Sequence, residues 1–267
     1  MLTENEDTSD VESAAATRAD IDAVALKPIE HDLASTLDLP VDTVALDYEG
    51  RDAFPDQSTL ARLVDRFECY VTTPVRADGF DPLGDDSLLA RLPDGARRAL
   101  VAGNPAYLDD HERERAVAPR LGAARENAPD AWVGTEGVAR VALAAGGVQY
   151  ELLSRETERE VRALRAAGFE GDIALYAPLV LSDDEDAILD AIGSYTARRA
   201  PVRRALPDDA PTDGTATGRA REVLSAAVRD YALVGDAAAV ADRVADLRDA
   251  GVDTVVCYPA RGIDKLW

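Results

Sequence analysis

Cysteine is almost missing from this chain: Cys69 and Cys257 are two among 267 residues, each inside an apolar run and neither with a Cys or His at metal-ligand spacing. That excludes a disulfide framework and a Cys-based zinc site. Histidine is as scarce, with His31 and His111 alone and both in helix-like contexts, so no metal site is expected. Aromatic residues make up 5% of the chain, which is low for a flavin site. No apolar run approaches the length of a membrane span, and the acidic start MLTENEDTSDVESAAATRAD is unlike a basic-then-apolar secretory signal. A soluble, cytoplasmic protein is expected.

Lysine is the next absence. Only Lys27 and Lys265 occur, beside 27 arginines, against 34 Asp and 17 Glu, for a net charge of −22. The acidic residues are spread over every segment rather than gathered in one patch, so the balance points to salt adaptation, as in a halophilic archaeal cytosol, where molar salt screens self-repulsion. An electronegative surface repels phosphate backbones, and no arginine stretch is interleaved with aromatics, so a nucleic-acid partner is not expected.

What is present is a cadence. Residues 1–18 lack apolar periodicity and are expected to form a disordered acidic leader. From 19 onward, apolar runs alternate with helical patterns: IDAVALK (21–27), DTVALD (42–47), CYVTTPV (69–75), RALVAGN (98–104), AWVGTE (131–136), VQYELLS (148–154), DIALYAPLVL (172–181) and DTVVCYP (253–259). Eight such strands with intervening helices predict a single-domain (β/α)8 TIM barrel over 19–267. Helices are expected over 154–169, 183–199 and 236–251, the last stopped by Gly251. The Pro-, Asp-, Thr- and Gly-rich stretch 200–218 is expected to be a mobile loop beside the barrel mouth. An open doubly wound sheet is the alternative, but Lys27, Pro28 and Ile29 stand where its phosphate-binding glycines belong.

In a (β/α)8 barrel the active site lies at the C-terminal ends of the strands. That rule selects Lys27; Asp47, Tyr48 and Glu49; Thr72, Thr73 and Arg76; Asn104 and Tyr107; Glu136; Glu151 and Ser154; Tyr176; and Tyr258 and Arg261. Lys27 stands out in a lysine-poor chain. It has the chemistry of an imine-forming or phosphate-contacting group, and equally of an ion-pair partner for Asp47 or Glu49 across the rim. The loop TTPVRADGFDPLGDD (72–86) holds hydroxyls, an arginine and glycines suited to an anion or cofactor phosphate, and is equally a polar connection. No nucleophile elbow and no Cys–His pairing occurs.

Residues 231–262, YALVGDAAAVADRVADLRDAGVDTVVCYPARG, resemble the closing segment of the luciferase-like monooxygenase superfamily, in which a Val-Gly-Asp turn opens a helix that ends in Ala-Gly-Val-Asp before the last strand. GDIALYAPLVLSDDEDAILDAIGSYTARR (171–199) is similar to that superfamily's seventh strand and following helix. The resemblance implies a barrel that binds FMN or the deazaflavin coenzyme F-420, for monooxygenation or hydride transfer to a small molecule, often as a homodimer. By position, Thr72, Thr73, Arg76 and Tyr176 are then expected at the cofactor, and Lys27, Asn104 and Glu136 near the reaction. The alternatives are a cofactor-free barrel using Lys27 on a carbonyl or phosphorylated substrate, and a non-catalytic barrel.

Overall fold

Val-, Ala- and Leu-rich runs pair side by side, all in parallel. The computed structural model describes residues 19–134 and 139–266. Strands β1 (Ala23–Leu26), β2 (Thr43–Leu46), β3 (Glu68–Pro74), β4 (Arg97–Val101), β5 (Trp132–Gly134), β6 (Val148–Leu152) and β7 (Ile173–Leu181) follow one another round a ring. β9 (Thr254–Pro259) lies between β7 and β1 and closes it. The fold is a closed eight-stranded (β/α)8 barrel. A further short strand, β8 (Leu233–Gly235), extends from the end of β7 and pairs with Leu179–Leu181 outside the ring.

Strand alternation sorts the side chains into two cores. Val24, Leu26, Val44, Leu46, Val71, Leu175 and Val255 point outward, into a cluster with the apolar faces of α1 (Gln57–Arg66), α5 (Thr157–Ala166) and α9 (Ala237–Ala250). Cys69 and Cys257 belong to this layer as buried free thiols, and burial pushes the Cys69 thiol up to about 12. The inward layer combines many alanines with large rings. Ala23, Ala25, Ala45, Ala99 and Ala174 leave room for the rings of Tyr70, Trp132, Tyr150 and Tyr176. Tyr70 and Trp132 stack 3.7 Å apart, and Trp132 meets Tyr150 at 5.2 Å. The barrel is filled at its N-terminal end, so it is not a pore.

The other helices are α2 (Asp110–Glu114), α3 (Val117–Asn127) and α4 (Ala139–Ala145), followed after β7 by α6 (Glu185–Ala197), α7 (Ala200–Ala205) and α8 (Gly218–Tyr231). These last three form a helical insertion between β7 and β8 with its own apolar cluster, built on Ile188, Leu189, Ile192, Val202, Leu224 and Val228. The stretch 200–218, expected to be a loop, therefore opens with a helix. Pro201 lies in the first turn of α7, where its missing N–H has no intrahelical partner to lose. The expected helices at 154–169, 183–199 and 236–251 are present but shorter at their ends. α9 stops at Gly251, in the left-handed conformation at φ 113°. His31 is not helical; it lies in the turn that follows β1. The expected leader, 1–18, lies outside the described residues. Among the described residues, no helix is long and apolar enough to cross a membrane.

Candidate functional site

The strand ends meet the inserted helices at the C-terminal mouth of the barrel. A cavity of about 220 Å³ opens there. Its floor is Tyr150 and Tyr176, the last inward rings of β6 and β7. Its walls are Asp47, Tyr48 and Glu49 after β2, Thr72 and Pro74 at the end of β3, and Asn104 and Tyr107 after β4. Lys27 borders it after β1, and Tyr195 and Arg198 reach it from the C-terminal end of α6. Larger hollows lie elsewhere, one beside Glu30, Asp38 and Asp264 and one at the opposite end around Tyr70 and Arg97. The mouth is the hollow on which polar groups after β1, β2, β3 and β4 converge with residues at the end of α6, at the end where a (β/α)8 barrel carries its site.

Asp47 lies among phenols. The Tyr176 hydroxyl donates to its Oδ2 at 3.2 Å. Burial first, and the Asp47 charge second, push the Tyr150 and Tyr176 phenols well above their ordinary range. Glu49 is 8% exposed; one oxygen accepts from the Ile29 N–H at 2.8 Å and the other from the Tyr107 hydroxyl at 3.3 Å. The Tyr150 hydroxyl is buried and has no hydrogen-bond partner among the described residues.

Lys27 does not bridge to Asp47 or Glu49. Its Nζ pairs with Glu30 at 3.1 Å and stands 3.8 Å over the ring of Tyr258, because the turn after β1 returns Glu30 to the same side. The Tyr258 hydroxyl also donates to Glu30. Burial opposes ionisation of Glu30, but the hydrogen bonds from Tyr258 and Lys27 outweigh it and hold the carboxyl below its usual value. His31 Nδ1 accepts from the Lys27 N–H at 3.0 Å. Burial lowers the His31 pKa, favouring the neutral ring that this bond requires.

Of the residues expected at the site, Lys27, Thr72, Asn104 and Tyr176 come together around the cavity. Thr72 is engaged there: its Oγ1 accepts from the Tyr48 N–H at 2.6 Å and donates to the Leu46 carbonyl at 3.3 Å. Thr73 points to the other face of β3, where its hydroxyl meets Ala99 O and Arg98 Nε. Arg76 spends its guanidinium on the carbonyls of Ala102, Gly103 and Arg113. The loop that carries it is closed by buried Asp81, which binds Arg120 at 2.9 Å and Arg115 at 3.2 Å. Glu136 lies outside the described residues. Tyr150, Tyr195 and Arg198 were not anticipated. Alternation along β6 could have found Tyr150, whereas Tyr195 and Arg198 sit on a helix that the strand-end rule never samples.

The residues of the mouth do not fit a flavin or deazaflavin. Such a cofactor brings a tricyclic ring and at least one phosphate. The described cavity is smaller than the roughly 300 Å³ at which sites for drug-sized ligands begin. Arg76 and Thr73 face elsewhere, and Asp47 and Glu49 on the cavity wall are acceptors that repel a phosphate.

Two solved structures share the fold. An F420-dependent secondary alcohol dehydrogenase, in complex with an F420-acetone adduct, superposes with a TM-score of 0.60 at 11% identity, over 92% of this chain and 96% of that one. The coenzyme F420-dependent tetrahydromethanopterin reductase from Methanopyrus kandleri gives 0.64 at 13% identity, over 92% and 94%. No curated protein matches the sequence. Residues 16–266 match DUF7388, a family of unknown function, and the chain belongs to that family.

Proposed function

We propose that the mouth binds a small organic molecule directly, with Asp47 and the surrounding phenols as its polar contacts, and that no nucleotide-type cofactor is resident. One observation carries this reading. The cavity inside the ring of strand ends is small, acidic and phenol-lined, and polar groups from several strands converge on it. Asp47 and Tyr176 form a hydrogen-bonded carboxylate–phenol pair at its floor, able to hold or pass a proton on a bound molecule.

A second reading is a luciferase-like, F420- or FMN-dependent oxidoreductase acting on a small molecule. It is favoured by the fold match to two F420-dependent proteins over 92% of the chain. An absorption spectrum of the protein purified in molar KCl, followed by titration with FMN and with F420, separates the two. The direct-binding reading expects a colourless protein that leaves both cofactors unbound. A yellow protein, or tight binding of either cofactor, overturns it in favour of the oxidoreductase.

A further inference from the structure

The Tyr150 hydroxyl is the least expected group in the mouth. The side chain is 2% exposed, it forms the cavity floor, and its oxygen has no hydrogen-bond partner among the described residues. A buried hydroxyl left unpaired is destabilising, and native structures contain few of them. A molecule bound in the cavity that this ring lines would supply the missing partner.

The neighbours of that hydroxyl define the partner's chemistry. Asp47 and Glu49 are carboxylates on the cavity wall, and both already accept from phenols, Tyr176 and Tyr107 respectively. Tyr107, Tyr176 and Tyr195 also line the space. Acceptor oxygens together with π faces suit a cation that carries N–H donors. The lip has the opposite sign. Arg198 is exposed at the end of α6, with its guanidinium 5.9 Å from the Tyr195 ring. Lys27, the other cation at the rim, is already held by Glu30. The cavity has the space of about seven water molecules at ~30 Å³ each, which limits the ligand to a short chain.

We propose that the mouth takes a small zwitterion: its protonated amine lies on the Tyr150 oxygen between Asp47 and Glu49, and its carboxylate turns outward to Arg198. This rests on the reading of the mouth as a direct small-molecule site, and names the class of molecule. A neutral polyol would leave Arg198 without a role, and a simple anion would meet two carboxylates.

Calorimetric titration of the full chain tests it, with γ-aminobutyrate as the zwitterion, n-butylamine as the cation, butyrate as the anion and 1,4-butanediol as the neutral probe. Tyr150→Phe should weaken γ-aminobutyrate about tenfold or more, the loss of a hydrogen bond to a charged group, without lowering the unfolding temperature, because the hydroxyl has no partner among the described residues. Arg198→Gln should weaken γ-aminobutyrate and leave n-butylamine unchanged. Asp47→Asn should weaken both. Tyr150-dependent binding of butyrate or butanediol in preference to γ-aminobutyrate overturns the zwitterion assignment and keeps the mouth as a small-molecule site. Binding of γ-aminobutyrate that is indifferent to both Tyr150→Phe and Arg198→Gln also overturns the assignment. Absence of binding by every probe overturns both.

Discussion

Tyr150 and Glu151 are neighbours on β6 whose fates the strand pleat divides. Tyr150 turns inward to the mouth; Glu151 turns outward, into a hollow of about 360 Å³ beneath α4 and α5. Burial first, and the charge of Glu160 second, push the Glu151 carboxyl from 4.5 up to about 7. A carboxyl whose folded pKa is raised binds its proton more tightly in the native state, so native stability falls as pH rises between those two values. The slope runs from about pH 4.5 to 7, and its total is on the order of 3 kcal/mol. Glu151→Gln removes the proton exchange. The variant should match the wild type near pH 4.5 and exceed it at pH 7 and above. Urea titrations of both proteins at several pH values check this, since their difference cancels the acidic background. A difference that does not change with pH contradicts the assignment. At this scale the sequence was half legible. The strand-end rule named Glu151 and Tyr176, but whether a residue faces mouth or helix depends on pleat parity, which shifts with each strand's start. Thr72 and Thr73 make the same point, adjacent in sequence and on opposite faces of β3.

Among the elements, the eight barrel strands were legible because each is an apolar run bounded by polar residues, and burial on both faces demands such a run. β8 was not, since three residues carry no periodicity. The helical insertion was harder still. A composition rich in Pro, Asp, Thr and Gly suggested a loop over 200–218, but α7 packs Val202 into the insertion's core, and residues 206–217 fold back on α6. Gly193 shows how closely. A Cβ there would stand 2.1 Å from the Thr212 carbonyl oxygen, and the Gly214 N–H donates to Asp190 at 2.8 Å. Helix propensity alone would make Gly193→Ala stabilising by about 1 kcal/mol. Contact with a backbone carbonyl that close reverses the sign, because overpacking costs roughly 1–3 kcal/mol and the carbonyl cannot rotate away as a side chain does. Gly193→Ala should therefore lower the unfolding temperature and speed proteolytic cleavage within 206–217. A variant as stable as the wild type, with an unchanged cleavage rate, would show that the loop yields freely.

For the whole molecule, charge decides more than any single contact. Fifty-one acidic residues face 29 basic ones, so the average surface carboxylate has more like than unlike neighbours. Exposed pairs such as Arg162–Glu158, at 3.1 Å, contribute little each and weaken as salt is added. Repulsion among the unpaired acids weakens under the same screening. Raising ionic strength from 0.1 M to 1 M shortens the Debye length from about 10 Å to about 3 Å, shorter than most spacings between surface charges but not than a direct ion pair. Salt therefore removes the long-range repulsion and retains much of the short-range attraction. The Asp81 pairs with Arg115 and Arg120, on a carboxylate that is 1% exposed, are screened least. We propose on this ground that the protein works in concentrated salt. Its unfolding temperature should rise steadily between 0.1 M and 1 M KCl, with most of the gain at the low end, where screening changes fastest. Thermal scans across that range measure it. A flat or falling profile would mean that the ion pairs, and not the net charge of −22, set the balance.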